Sequence, residues 1–298
     1  MIKNMPPSGI RFVVLLSAIF VLSGCVVPPT SPSLINTPSI HEAARRGNLE
    51  MIRQLLSHGQ NVDQPDTQEL TALVFATTHG HEEIVKFLLE HGAQVNRPGR
   101  AGWTALHAAA RHGHIPCINR LLQAGADLEA IWLEGETPLK MAVTYADPQT
   151  VTFLIDHGAN LNHEAPDGGT ALLHAVMGHG DTMVRLLLQR GAYPDGGEHA
   201  PFTPLMLATT YSDFTVVAAL LNHHASLTKT DINGQTALHW AAQLGSAKTV
   251  QMLLAAGADA SFLDHNESTP LDLALAREGE EGQRITDLIE KNLPADAK

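Results

Sequence analysis

A single spacing governs what this chain can fold into. Thr71, Thr104, Thr137, Thr170, Thr203, Thr236 and Thr269 follow one another at a constant interval of 33 residues. Two places after each stands a leucine, from Leu73 to Leu271. A second marker keeps the same step as Gly59, Gly92, Gly125, Gly158, Gly191 and Gly257, with His224 breaking the series. Two markers locked in phase define a tandem repeat. Units of this size cannot bury an apolar face alone, so they must stack on their neighbours.

Within a unit, two apolar bursts recur at helical spacing. In the second they are Ala72, Leu73, Phe75 and Ala76, then Ile84, Val85, Leu88 and Leu89. The Thr-(Pro/Ala) step opens the first helix, because the hydroxyl caps free amides and proline suits the first turn. His79-Gly80-His81 turns the chain, and Gly92-Ala93 ends the second helix. Small residues such as Ala108, Ala109 and Ala110 let neighbouring units approach closely. Leucine pairs such as Leu88-Leu89 and Leu121-Leu122 fill the space between.

The stretch Gly102-Trp103-Thr104-Ala105-Leu106-His107-Ala108-Ala109-Ala110, then Gly113-His114, then Leu121-Leu122-Gln123-Ala124-Gly125-Ala126-Asp127, resembles the ankyrin repeat. The resemblance runs from about Ser39 to Lys291. It implies an all-α solenoid of about eight helix-turn-helix repeats with short hairpin-like loops. Their expected spans are 39–64, 66–97, 99–130, 132–163, 165–196, 198–229, 231–262 and 264–291, followed by a flexible tail over 292–298. The end units carry polar residues and act as caps. Departures concentrate between Tyr145 and His224: Tyr145-Ala146-Asp147-Pro148 replaces the turning glycine, Leu173 and Met206 replace the motif histidine, and Asn222-His223-His224 replaces the closing glycine.

Ahead of the repeats, Lys3 and Arg11 precede the apolar run Phe12 to Leu22, which is too short for a membrane span of ~20 residues. It ends in Leu22-Ser23-Gly24-Cys25, which resembles the lipobox of bacterial lipoprotein signal peptides. That resemblance implies a signal peptide over 1–24, lipid attachment at Cys25 and a periplasm-facing anchor in the cell envelope. Val26, in place of an aspartate, favours the outer over the inner membrane. The Pro/Ser-rich stretch 25–38 cannot bury a core and reads as a semi-rigid tether. Membrane contact is expected only through this lipid.

Lys and Arg number 19 against 31 Asp and Glu, with no basic cluster, which excludes nucleic acid as a partner class. Eight of the 17 histidines fall on three repeat positions: His41, His107 and His239 in the Thr-x-x-His slot, His81 and His114 after the turning glycine, and His58, His91 and His157 before the closing one. Histidines one repeat apart cannot share a metal whose nitrogen bonds are ~2 Å long, so no metal site or other cofactor is expected. Cys117, beside Ile115 and Ile118, is expected to be buried. No phosphate-cradling loop or nucleophile motif is present, so the chain is read as no enzyme.

Large apolar side chains at loop or helix-face positions are the informative residues. They are Trp103, Ile131, Trp132, Leu133, Tyr145, Phe202 and Tyr211, bounded by Glu134, Glu136, Asp167 and Glu198. Members of the family bind partners through loop tips and concave helix faces, so these residues are the expected partner-binding face. Trp240 is expected in the core. The implied function is a lipid-anchored scaffold or stabiliser of an envelope protein, the alternative being an immunity lipoprotein that neutralises a toxic effector in the periplasm.

Overall fold

The structure, a computed structural model, describes residues 39–178 and 180–293. The signal peptide, Cys25, the tether and residues 294–298 of the tail lie outside the described residues. Among the described residues sixteen α-helices form eight consecutive pairs. They are α1 (Ile40–Arg45) with α2 (Leu49–Ser57), α3 (Ala72–Thr78) with α4 (Glu82–Glu90), and α5 (Ala105–Arg111) with α6 (Ile115–Gln123). Next come α7 (Pro138–Tyr145) with α8 (Pro148–Asp156), α9 (Ala171–Met177) with α10 (Asp181–Gln189), and α11 (Pro204–Tyr211) with α12 (Phe214–Asn222). The last are α13 (Ala237–Leu244) with α14 (Ala247–Ala255) and α15 (Pro270–Leu275) with α16 (Glu280–Asn292). The final helix therefore runs one residue into the stretch expected as a tail.

The marker threonines do local work. Thr104, Thr137, Thr170, Thr203 and Thr269 each accept the amide N–H three residues on, and Pro138, Pro204 and Pro270 occupy the first turn. The turn between paired helices comes in two forms. Gly47, Gly80 and Gly113 take positive φ. Where repeat four lacks that glycine, Ala146 is extended and the Asp147 carboxylate caps α8 through the Thr150 amide, 2.9 Å away. His224, at φ 62°, adopts the left-handed conformation that glycine holds at the other closing positions.

The glycine-histidine turn also joins repeats. The His114 ring lies against Gly80, where a Cβ would come within 2.9 Å of it, and its Nε2 bonds the Thr78 carbonyl at 3.2 Å. His81 packs on Gly47 and bonds the Arg45 carbonyl at 3.1 Å in the same way. A second set of links keeps the 33-residue step. Side chains of Asp63, Asn96, Glu129, Asn162 and Asp195 accept the amides of Gln94, Asp127, Asn160, Tyr193 and Ser226, each 31 residues on. Packing closes the stack: Ala108, Ala109 and Ala110 are fully buried, as are Leu88, Leu121, Leu187, Leu220 and Leu253. The second leucines Leu89, Leu122, Leu221 and Leu254 are only half-buried. Cys117 is buried as its position predicts, and burial pushes its thiol up to about 11.

The motif histidine is a third link. His107 Nδ1 accepts the Thr104 amide at 3.2 Å, while Nε2 donates to the Glu136 carbonyl of the next repeat at 3.0 Å. His239 repeats this with Thr236 and Ser268. Both rings are buried, which favours the neutral form. Burial brings His107 down from 6.5 to about 4 and lowers His239 as well. The unfolded chain thus takes up this proton before the folded one does. Stability is full above the unfolded value and declines as pH falls through the window between the two. Urea denaturation is expected to show a loss on the order of 2 kcal/mol from this residue between neutral pH and the lower end of the window. His107→Gln should flatten that share of the slope; identical slopes for the two proteins would contradict it.

Candidate partner-binding surface

Each hairpin tip precedes a marker threonine, and its closure depends on one position. Asp66, Asp231 and Asp264 stand five residues before the threonine. Each carboxylate accepts two tip amides, as Asp231 does from Asn233 and Gln235 at 2.8 Å. In repeats three to six this position holds Gly99, Trp132, Ala165 and Glu198 instead. At Trp132 the tip closes by backbone alone: Trp132 and Glu136 exchange two N–H···O bonds of 2.9 Å. Leu133 then takes φ 49° and donates its amide to the carbonyl of Ala101, itself at φ 58°, on the neighbouring tip. Two non-glycine residues in left-handed conformations therefore meet, at a cost of order 1 kcal/mol each.

This backbone presents the expected residues in two ways. Trp103 and Trp132 meet edge to face at 4.7 Å and are half-buried, with Trp103 also stacked on His107 at 5.4 Å. That pair forms a platform. Ile131 and Leu133 stand out from it, 41% and 54% exposed. Tyr145, the last residue of α7, is 38% exposed, with the Arg111 guanidinium 4.3 Å from its ring centre. Burial, opposed by Arg111 and assisted by Glu136, raises the Tyr145 hydroxyl above its ordinary value.

Beneath this surface lies a residue that the sequence reading passed over. Lys140 occupies the Thr-x-x-His slot and is 1% exposed. Its Nζ donates to the Gly169 carbonyl at 3.3 Å, the counterpart of the acceptor that His107 and His239 use. It also donates to the Gly135 carbonyl at 3.2 Å and pairs with the Glu136 carboxylate at 3.2 Å. His174 lies 3.8 Å from the same carboxylate; burial holds its ring below the ordinary value, with Glu136 opposing and Lys140 adding. The lysine is thus a charged substitute for the histidine link, neutralised on the spot. Its signal was readable, since the slot is fixed by the 33-residue step.

The structure places Trp103, Ile131, Trp132 and Leu133 on the adjacent tips of repeats three and four, with Tyr145 at the far end of α7 against Arg111. It sets Phe202 and Tyr211 apart on repeat six, both half-buried, with Phe202 5.6 Å from the Trp240 ring. Trp240 itself is buried, its indole N–H donating to Asp231 at 2.9 Å. Exposed apolar residues outside the expected set are Tyr193, Ile232, Leu263 and Leu275. Ile232 and Leu263 occupy the repeat positions of Leu133 and Ile131, so aligning the tips finds them. Leu275 corresponds to Val143 and Val176, which the following repeat buries. Among the described residues no group of three His, Cys, Asp or Glu is placed to hold a metal, and no helix is long and apolar enough to cross a membrane.

A family model for ankyrin repeats (three copies) matches residues 40–131, 128–197, 183–264 and 205–284. The chain belongs to the ankyrin-repeat family. The crystal structure of the human ASB11 ankyrin repeat domain is similar at a TM-score of 0.64 and 32% identity, covering 73% of this chain and 96% of that one. Neurogenic locus notch homolog protein 1 of Danio rerio is 38% identical over 79 residues, which is 26% of this chain and 3% of that protein. The human counterpart is 36% identical over 80 residues, 27% of this chain and 3% of its own. The chain thus spans a very small part of these relatives, and the likeness lies in the repeats. Ankyrin repeats mediate protein–protein interaction and are typically non-enzymatic, which gives this chain its coarse function: a protein-binding module.

Replacing Lys140 tests the buried link. Lys140→Met leaves Glu136 without its base and two carbonyls without a donor, an expected loss of about 3 kcal/mol in urea denaturation. Lys140→His, which can again reach Gly169, should lose clearly less. Equal losses would mean that the bond to Gly169 does not carry the link.

Proposed function

We propose that the tip side of repeats three to six binds a protein partner in the bacterial cell envelope, with the chain held there by lipid on Cys25 as a scaffold or stabiliser. The observation that carries the binding reading is the Leu133 tip. An apolar side chain is held exposed on a left-handed backbone whose amide is bonded to Ala101, next to the packed Trp103–Trp132 pair. Apolar anchors on a rigid platform are what interface hot spots require. The envelope reading rests on the Leu22-Ser23-Gly24-Cys25 box and the basic and apolar residues before it. Lipid chains contribute about 0.8 kcal/mol per buried methylene, so acylation supplies the membrane affinity and leaves the repeats free to bind. Val26 supports the outer membrane as the site of anchoring.

A second reading is an inhibitor, such as an immunity lipoprotein directed at a toxic effector arriving in the periplasm. It is favoured by the acidic residues around the tips, which suit a basic target.

Affinity capture of the full-length tagged protein from detergent-solubilised envelopes tests the binding reading. Leu133→Asp is expected to reduce capture of the specific partner about tenfold with unchanged circular dichroism. Trp103→Ala/Trp132→Ala should do the same. A partner retained by both variants would remove this face from the reading. The identity of the partner separates scaffold from inhibitor.

Fractionation tests the anchor separately. Cys25→Ser is expected to abolish acylation and move the mature repeats out of the outer-membrane fraction. A variant that stays in that fraction would contradict lipid anchoring at Cys25.

A further inference from the structure

Charge is unevenly distributed along the repeats. From Ser39 to Leu128 the chain carries eight Lys and Arg against nine Asp and Glu, while from Glu129 to Asp213 it carries three against eleven. All three of those bases are spoken for: Lys140 is buried with Glu136, Arg185 pairs with Asp181 at 2.7 Å, and Arg190 pairs with Asp156 at 2.6 Å. Several of the acids have fold-level tasks, because Glu129, Asp147, Glu164 and Asp195 accept backbone amides. Glu134, Asp167 and Glu198 differ in their exposure and lack of ion pairing, although Asp167 also accepts the Gly169 amide of its own tip. They are exposed at successive tips of repeats four, five and six, and none makes an ion pair among the described residues.

In repeat order, Glu134 shares a tip with the exposed Ile131 and Leu133, and Asp167 and Glu198 follow on the next two tips. The tip that precedes them holds Arg100, and Arg111 is already seated on the Tyr145 ring. We infer that this surface takes a protein segment combining large apolar residues with Lys or Arg, the apolar part on Ile131, Leu133 and Tyr145 and the basic part over Glu134, Asp167 and Glu198. The inference rests on the tip side being the binding face and adds the chemistry of its occupant. The physical reason is complementarity. Exposed, uncompensated like charges raise the energy of the free surface and steer an oppositely charged partner to it, while the apolar anchors supply the desolvated centre. An anionic partner would have to bring its charge against the same three carboxylates.

The test uses the full-length detergent-solubilised protein and fluorescence anisotropy with three labelled synthetic peptides of equal length. One alternates Lys and Leu, one replaces Lys by Glu, and one replaces Leu by Ser. The Lys/Leu peptide is expected to bind at least about tenfold tighter than either other peptide. The triple variant Glu134→Lys/Asp167→Asn/Glu198→Lys, in which asparagine preserves the bond to the Gly169 amide, should lose that preference. Glu278→Lys/Asp287→Asn/Glu290→Lys on the last repeat changes net charge equally and should retain it. Equal weakening by both variants would show attraction to overall charge and overturn the inference, as would wild-type binding by the tip variant. If charge reversal has no effect while Leu133→Asp still loses the captured envelope partner, this inference falls and the binding face stands. If Leu133→Asp is also harmless, the face itself is wrong.

Discussion

Everything in this molecule depends on hydrogen bonds passed from one repeat to the next. A helix pair of this length cannot bury its apolar faces, and nothing in the burial of alanine and leucine alone fixes the register between neighbours. The register comes from groups that recur at the 33-residue step. Asp63, Asn96, Glu129, Asn162 and Asp195 each hold an amide of the following loop. His107, Lys140 and His239 each reach the carbonyl just before the next marker threonine. The His107, Lys140 and His239 links are buried or half-buried, so losing one of these donors leaves an unpaired carbonyl as well as a broken bond.

With the register fixed that way, the tips are free to vary, and they vary in the middle of the array. Tips stapled by Asp66, Asp231 and Asp264 are closed by their own carboxylates. Repeat four has exchanged that staple for Trp132, a backbone bridge and a left-handed Leu133. The exchange gives up a fold-stabilising device, and the proposed binding role of Leu133 is a reading that would account for it. Lys140 fits this pattern, because it secures repeats four and five from below while Glu136 cancels its charge. The surface above can therefore remain acidic.

Most of the architecture was legible in the sequence because repetition amplifies a weak signal. One threonine before a leucine says little, whereas seven in phase point to a stack of about eight helix pairs. Burial of Cys117 and Trp240 followed from their repeat positions. The candidate surface was legible only in part. Ile131, Leu133 and Tyr145 could be read as exposed, but whether Trp103, Trp132 and Phe202 face solvent or their neighbours depends on side-chain packing across repeats, which spacing does not encode. The half-buried tryptophan pair is the outcome of a tip that lost its aspartate. The ladder of loop acceptors was missed for a different reason, since its partners lie 31 residues away and only the folded stack brings them together, whereas Lys140 stood in a slot that the 33-residue step makes readable.

The central claim is that partners meet this protein at the tips of repeats three to six. Site-specific photo-crosslinking in cells that natively express the protein tests it directly, with a photoreactive phenylalanine placed at Leu133 and, in a separate strain, at Gln251 on α14. The account predicts a discrete higher-mass adduct from position 133 and none from position 251. An adduct from 251 with none from 133 would contradict it.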